Sequence, residues 1–195
     1  MSKTPPLKPF KRLAKMALGR MPWIRVEARV PKLFLGSDYG GWAFCPDLID
    51  KGSVIYDFGI GHDASFPVAL IERYGCVVHG FDPSGVEEYV ASLGLGDRFR
   101  FHPVGLADFD GEVEIRSQSA TEGTSGTILG RDQLDVDTKG EKIEVKRLET
   151  LMKELGHSRI DLLKMDIEGA EFDVVEDFAK GSIRPTQVLI ETHRY

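Results

Sequence analysis

A glycine-containing loop in the first third of the chain is where the sequence could bind a nucleotide-like ligand. The run VIYDFGIGHDASF, residues 54–66, places Gly59 and Gly61 between an apolar segment and the start of a helix. Glycines at this spacing let the backbone approach a ligand closely. Asp82 ends the next apolar segment, where such folds use an acidic side chain to bind ribose hydroxyls. The spacing is compatible with NAD and with S-adenosylmethionine, because both contain an adenosine ribose.

The charges of this loop favour the second of these cofactors. Asp57 precedes the glycines, Asp63 follows them, and no lysine or arginine lies between residues 52 and 72. Two carboxylates would repel the pyrophosphate of a dinucleotide. S-adenosylmethionine instead carries a sulfonium, an ammonium and only one carboxylate. The loop therefore predicts S-adenosylmethionine as the cofactor, and a nicotinamide-dependent oxidoreductase is the less favoured alternative.

A second group of acidic residues lies in the run IDLLKMDIEGAEFDVV, residues 160–175. An apolar strand ends at Asp166, so this carboxylate is expected at the ligand-binding edge of a sheet. Glu168 follows in a turn, and Glu171 lies in the first helical turn, where an acid also interacts favourably with the helix dipole. Clustered carboxylates need a cation, a metal or a proton to offset their mutual repulsion.

His193 is the candidate general base for chemistry on a hydroxyl group, because an imidazole titrates near neutral pH. In an alternative arrangement, Asp166, Glu191 and His193 coordinate a divalent cation that lowers the pKa of the hydroxyl. The spacing does not decide between the two arrangements, and a metal is not part of the prediction.

The elements that must position these residues alternate between strands and helices from residue 50 onwards. Hydrophobic runs bounded by glycine and proline predict five strands, at 54–58, 76–81, 99–103, 160–165 and 187–191. Helices are predicted between them, at 65–74, 85–93, 147–155 and 171–178. This alternation predicts an α/β fold with a doubly wound, mostly parallel, Rossmann-like sheet.

The net charge of −6 is unevenly distributed along the chain. Residues 1–35 contain nine Lys and Arg against one Glu, so the remainder of the chain is strongly acidic. This contrast predicts a basic N-terminal extension over residues 1–35 and a domain over residues 36–195. An acidic domain does not attract phosphate backbones, so nucleic acid is not an expected partner.

The location of the protein is predicted to be cytoplasmic. Cys45 and Cys76 are too few for a disulfide framework, and no apolar run is long enough for a membrane span or a secretory signal. Residues 8–21 predict an amphipathic helix with a basic face. Packing of this helix onto its own domain is favoured over contact with a membrane surface. The oligomeric state is left open.

Four segments carry a resemblance to a known family. YDFGIGHDASF, HGFDPS, IDLLKMDIEGAEFDVV and VLIETH, in this order and spacing, resemble the FkbM-type methyltransferases, and LGSDYGGWAFCP is similar to one branch of that family. The resemblance covers residues 35–193. It implies a class I methyltransferase fold and S-adenosylmethionine-dependent methylation, mostly of hydroxyl groups. The implied acceptor is a small hydroxylated molecule such as a sugar or a natural product.

The resemblance also implies a role for individual residues. The implied cofactor-binding residues are Asp57, Gly59, Gly61, Asp63, Asp82, Tyr39, Gly40 and Gly41. Of these, Asp57 would lie near the methionine ammonium, and residues 39–41 would cover the methionine end. The implied catalytic residues are Asp166, Glu168 and His193, near the transferred methyl group and the acceptor.

Two departures from the family pattern bear on activity. Asp63 replaces a glycine that is common in the general methyltransferase loop, and the chain stops soon after the fifth predicted strand. The usual methyltransferase sheet has two further strands, so we expect a sheet that lacks them. A methyltransferase-fold module that binds partners without catalysis is therefore an alternative function.

Overall fold

The computed structural model describes residues 28–117, 126–127 and 141–193. Its strands are, in chain order, β1 (Leu33–Leu35), β2 (Trp42–Phe44), β3 (Val54–Phe58), β4 (Val77–Phe81), β5 (Phe99–His102), β6 (Gly105–Leu106), β7 (Gly111–Ser117), β8 (Gly126–Thr127), β9 (Glu141–Lys146), β10 (Leu162–Met165) and β11 (Gln187–Ile190). Its α-helices are α1 (Ser65–Tyr74), α2 (Glu87–Ser92), α3 (Leu148–Glu154) and α4 (Glu171–Lys180). The five strands and four helices predicted from the hydrophobic pattern are all confirmed, with ends that differ by a few residues.

A parallel sheet in the order β11-β10-β3-β4-β5 forms the centre of the fold. All four neighbouring pairs of strands are parallel, so their carboxyl ends lie along one edge. The chain order reverses between β3 and β10, and ligands bind beside such a reversal in doubly wound folds. The predicted α/β, doubly wound class is confirmed.

Two apolar clusters cover the two faces of this sheet, because successive strand residues point to opposite sides. On one face, Ile55 of β3 packs with Phe66 and Leu70 of α1. On the other, Tyr56 belongs to a cluster that includes Leu151 of α3 and other residues of α3 and α4. The helices therefore lie on both sides of the sheet and hold its edge in place.

Two smaller sheets accompany the central one. Strands β1 and β2 form an antiparallel pair. Strand β2 lies in the glycine-rich lead-in, residues 35–46, whose glycines predict a loop, so the structure corrects that prediction in part. Between β5 and α3, strands β6, β9, β7 and β8 form a second sheet, in which β7 and β9 are antiparallel. The sequence pattern predicts an edge strand within 108–117 and a short strand at 142–145, and β7 and β9 confirm both.

Several predictions concern residues outside the described ranges. The amphipathic helix at 8–21 and its membrane contact lie there, and the division into residues 1–35 and 36–195 stays a prediction. Among the described residues, no helix is long and apolar enough to cross a membrane. Both cysteines are free thiols.

Candidate active site

Gly59 brings the loop after β3 against the end of β10. Its backbone has φ 81°, and its N–H donates to the carbonyl of Phe81 at 2.9 Å. A Cβ atom at this position would lie 2.0 Å from the carbonyl oxygen of Asp166, closer than any real contact. Glycine is therefore required here both for the backbone angle and for the close approach of two strand ends.

Asp82 fixes the same loop from the end of β4. Its Oδ2 accepts a hydrogen bond from the backbone N–H of Gly61 at 2.7 Å, and its Oδ1 accepts bonds from the N–H and hydroxyl of Ser84. The residue is only 4% exposed. Because a carboxylate oxygen can accept two hydrogen bonds, Oδ2 retains one acceptor position for a ligand hydroxyl. The position is compatible with the predicted ribose role, which stays a prediction.

Lys164 is a functional candidate that the sequence analysis missed. It lies level with Asp57 on the neighbouring strand, and both side chains are buried. Lys164 Nζ is 3.1 Å from Asp57 Oδ1 and donates to the carbonyl oxygens of Phe58 and Gly59 at 3.1 and 2.6 Å. Burial raises the pKa of Asp57, and the charge and hydrogen bond of Lys164 oppose this effect.

This pair corrects the charge argument made for the loop. The count of residues 52–72 found no cation, but Lys164 supplies one from a strand more than 100 residues later. The signal was a single lysine inside the apolar run LLKM, at the register position opposite Asp57. The local sequence thus overstated the negative charge of the loop, and the placement of Asp57 near a methionine ammonium stays a prediction.

Asp63 connects the loop to the glycine-rich lead-in. Its Oδ2 accepts a hydrogen bond from the hydroxyl of Ser37, and its Oδ1 accepts one from the N–H of Ser65 at 2.9 Å. Slight burial acts to raise the pKa of Asp63, but these hydrogen bonds outweigh it and lower the pKa. Gly40 packs on this carboxylate, since a Cβ there would lie 2.6 Å from Asp63 Cγ. Both Asp63 oxygens are thus engaged within the protein, and its contact with a cofactor is untested.

Residues 39–41 come after Ser37, the partner of Asp63, but they do not all face the glycine loop. Tyr39 is 94% exposed, whereas Gly41 packs closely against Phe34 and the carbonyl of Ser37. The backbone of Gly40 lies beside Asp63, and the cover over the methionine end of the cofactor stays a prediction.

Asp166, Glu168 and His193, the three predicted catalytic residues, come together at the carboxyl edge of the sheet. His193 Nε2 lies 3.8 Å from Asp166 Oδ1 and 3.6 Å from Glu168 Oε2. One ligand atom from each of the three side chains lies within 4.8 Å of the others. Glu191, which the sequence analysis grouped with Asp166 and His193 as metal ligands, is exposed, and Glu168 takes its place in the convergent set.

Glu171 contacts His193 at Nδ1, the ring nitrogen that does not face Asp166 and Glu168. Its Oε1 is 2.8 Å from His193 Nδ1, and the residue is 1% exposed. A carboxylate at this distance accepts a hydrogen bond from a proton on Nδ1, and Nε2 then faces the other two carboxylates. Sequence analysis assigned Glu171 mainly to the helix terminus, because its contact with His193 depends on how the segment after β11 packs against α4.

The carboxylates shift the titration of this cluster. Partial burial lowers the pKa of His193, but the hydrogen bond with Glu171 and the nearby charges of Glu168, Glu171 and Asp166 raise it overall. Burial raises the pKa of Asp166, assisted by Glu191 and opposed by Lys164. The cluster therefore favours a positive charge on or next to the imidazole.

Glu168 adopts a backbone conformation that is unusual for its residue type. Its φ is 54°, and Gly169 follows with φ 117°. A left-handed non-glycine residue costs of order 1–3 kcal/mol and is retained where the surrounding structure requires it. The turn directs Glu168 back towards His193 at the point where β10 leads into α4.

Comparison with known proteins agrees with this geometry. A family model described as "Methyltransferase FkbM domain" matches residues 50–195. Proteins named "Probable methyltransferase-like protein 24" are 23% identical in Homo sapiens and 25% identical in Rattus norvegicus over 162 residues, which is 78% of this chain and 38% of each relative. The "AMB antimetabolite synthetase AmbE" of Pseudomonas aeruginosa is 32% identical over 100 residues, covering 45% of this chain and 4% of that protein.

No solved structure matches the chain at a significant level. The chain spans 38% of the length of the methyltransferase-like relatives, so their overall architecture extends beyond what it aligns with. The family model, in contrast, includes the glycine loop, the end of β4, the acidic turn and His193. The chain belongs to the FkbM methyltransferase family.

Proposed function

We propose that this protein transfers a methyl group from S-adenosylmethionine to a hydroxyl oxygen of a small acceptor. The observation that carries the proposal is the direct contact between the two halves of the site. The cofactor-type loop at Gly59 packs against the backbone of Asp166, from which the cluster with Glu168 and His193 begins. A cofactor on the loop would therefore present its reactive end beside groups able to handle an acceptor proton.

The cofactor end of the proposed site is built for an adenosine ligand. Asp82 offers an acceptor position to a ribose hydroxyl, and Gly61 leaves open space where a side chain would otherwise stand. Lys164 is engaged with Asp57 and with the loop carbonyl of Gly59, so it offers no free cation to offset the repulsion between the loop carboxylates and a pyrophosphate. These features favour S-adenosylmethionine over a dinucleotide.

The acceptor end supplies the proton transfer that O-methylation requires. In an in-line displacement, the acceptor oxygen forms a bond to the methyl carbon while the carbon–sulfur bond breaks and its electron pair neutralises the sulfonium. In the metal-free protein, the hydroxyl proton passes to His193 Nε2. Glu171 stabilises the resulting imidazolium through Nδ1, as a carboxylate does behind a catalytic histidine.

Isothermal titration calorimetry of the purified chain tests the cofactor assignment. S-adenosylhomocysteine should bind and NAD should not. Binding of NAD without binding of S-adenosylhomocysteine would refute the proposal. A chain that binds S-adenosylhomocysteine but transfers no radiolabelled methyl group to any of a panel of sugars and hydroxylated natural products would support the alternative of a non-catalytic binding module.

A further inference from the structure

His193, Asp166 and Glu168 present three ligand atoms to a common point. The distances from Nε2 to the two carboxylates, 3.8 and 3.6 Å, are too long for hydrogen bonds but match the separation of ligands that share one ion. All three side chains are partly buried, which limits competition from bulk water without closing the site.

The orientation of the His193 ring makes the arrangement specific. With Glu171 against Nδ1, the ring directs Nε2 towards the two other carboxylates. Two carboxylates that face one ring nitrogen repel each other unless a positive charge lies between them, which is either a proton on that nitrogen or a bound cation. From this juxtaposition we infer that Asp166, Glu168 and His193 form a binding site for a divalent cation.

Glu171 supplies a second and independent indication of a ligand. It is 1% exposed, its Oε1 contacts Nδ1 of His193, and its Oε2 has no hydrogen-bond partner among the described residues. The N–H of Gly169 also donates to Oε1 at 3.1 Å, and the remaining cost of burying this carboxylate is offset if His193 carries positive charge or binds a metal. A carboxylate behind a histidine is the usual outer partner of a metal site, where it fixes the tautomer and increases the basicity of the ligand nitrogen.

The ligand types indicate which cations fit. Two carboxylates and one imidazole form a mixed oxygen and nitrogen set, in which the carboxylates suit Mn²⁺ and the imidazole favours transition metals such as Fe²⁺ and Zn²⁺ over Ca²⁺ and Mg²⁺. Three protein ligands leave positions open for water or for an acceptor hydroxyl. Mn²⁺ is also directly measurable, so it is the appropriate probe.

The catalytic role of this cation rests on the proposed function, whereas the binding of the cation does not. With a cation bound, His193 acts as a ligand instead of a base. The cation would lower the pKa of an acceptor hydroxyl, whose proton would pass to water while its oxygen bonds to the methyl carbon and the carbon–sulfur electron pair returns to sulfur. The binding site itself can be tested without any methyl acceptor or cofactor.

The experiment is a titration of Mn²⁺ into the full chain after a chelator has removed its metals. Binding is measured as the loss of the electron paramagnetic resonance signal of free Mn²⁺. One equivalent should bind. Asp166→Asn and Glu168→Gln should each weaken binding by more than the roughly 10–100-fold expected for the outer partner variant Glu171→Gln. Far-UV circular dichroism of each variant confirms that it is folded.

Glu191→Gln is the matched control. Glu191 lies near enough to raise the pKa of Asp166 but is not in the convergent set, so its variant should bind Mn²⁺ almost as the natural chain does. Weakening as large as that of Glu168→Gln would mean that Mn²⁺ responds to general negative charge, and would overturn the site. Absence of binding to the natural chain would also overturn it.

The outcome is separable from that of the proposed function. If the chain binds S-adenosylhomocysteine but does not bind Mn²⁺, the cation site is refuted and His193 remains the proposed base. If the chain binds Mn²⁺ but does not bind S-adenosylhomocysteine, the cation site is supported and the proposed cofactor is refuted.

Discussion

At the level of single residues, Gly59 and Gly61 serve one loop for different physical reasons. Both have positive φ, 81° and 53°, but only Gly59 also approaches another strand end. Gly61→Ala should cost about 1–2 kcal/mol of unfolding free energy, the penalty for a left-handed alanine. Gly59→Ala adds the overlap with Asp166 and should cost roughly 1–3 kcal/mol more.

Urea denaturation of both variants measures this difference. Because the two substitutions are chemically identical and two residues apart, each is the control for the other. Equal destabilisation would show that the backbone angle alone explains both glycines.

The acceptor capacity of Asp82 gives a second prediction at this scale. Asp82→Ala should weaken S-adenosylhomocysteine binding by about 1–3 kcal/mol, because a ribose hydroxyl would lose its partner and the loop would lose the bond to Gly61. Ser84→Ala removes a hydroxyl bond to the same carboxylate but leaves both oxygens in place, so it should change the affinity much less. Calorimetry of the two variants decides, and unchanged affinity in Asp82→Ala would exclude the ribose role.

At the level of elements, the Asp57–Lys164 pair joins β3 to β10 at the position from which the loop departs. Lys164→Met should destabilise the protein by about 3–5 kcal/mol, because it leaves a buried carboxylate without its cation. The double variant Asp57→Asn with Lys164→Met should recover part of this loss. Chemical denaturation of both singles and the double gives the coupling energy. A double variant that is no more stable than Lys164→Met would argue against a specific pair.

A cluster of histidines links three further elements. His79 of β4 stacks against His102 of β5 and meets the ring of His157 after α3, and His157 Nδ1 is 2.7 Å from the hydroxyl of Tyr56 in β3. Burial, together with the charges of His157, His102 and Arg100, lowers the pKa of His79 to about 3. Burial also lowers the pKa of His102 and of His157.

This cluster predicts a loss of stability in mild acid. Below pH 6.5 the unfolded chain protonates these histidines while the folded protein keeps His79 neutral down to about pH 3. The destabilisation from His79 is therefore absent above pH 6.5 and grows as the pH decreases towards 3, by up to about 1.4 kcal/mol per pH unit. His79→Phe should flatten the dependence of urea midpoints on pH between 4 and 7. An unchanged slope would assign the acid sensitivity to other groups.

At the level of the whole molecule, much of the architecture could be predicted from the sequence. Strands and helices followed from hydrophobic periodicity and from glycines such as Gly75, which ends α1 with φ 65°. Asp82 and Asp166 could be placed at one edge because the carboxyl ends of parallel strands meet there. The contacts of Lys164 and Glu171 could not be predicted, since they depend on strand register and on packing between segments that are distant in sequence.

The same limit applies to the contacts made by individual residues of the predicted site. Local spacing indicated Glu191 as a possible metal ligand, but the turn at Glu168, with its positive φ, decides which carboxylate faces His193. Asp63 was predicted to bind the cofactor, which stays a prediction, and its hydrogen bonds with Ser37 and Ser65 could not be read from the spacing. Sequence patterns identify the residues that gather at an edge, and side-chain packing determines what each of them contacts.

The pairing of β3 with β10 has a consequence for amide hydrogen exchange. Lys164 and Phe58 are 106 residues apart in the chain, so the ligand-binding edge exists only when both halves of the fold are in place. A bound cofactor stabilises only such states, by about 2.7 kcal/mol at a hundred times its dissociation constant. S-adenosylhomocysteine should therefore slow exchange in β10 and the following turn, as well as in the loop at 59–63, by up to about 100-fold. Protection confined to the loop would show that β10 opens independently, whereas protection across both would mean that occupancy of the site reports on the integrity of the whole sheet.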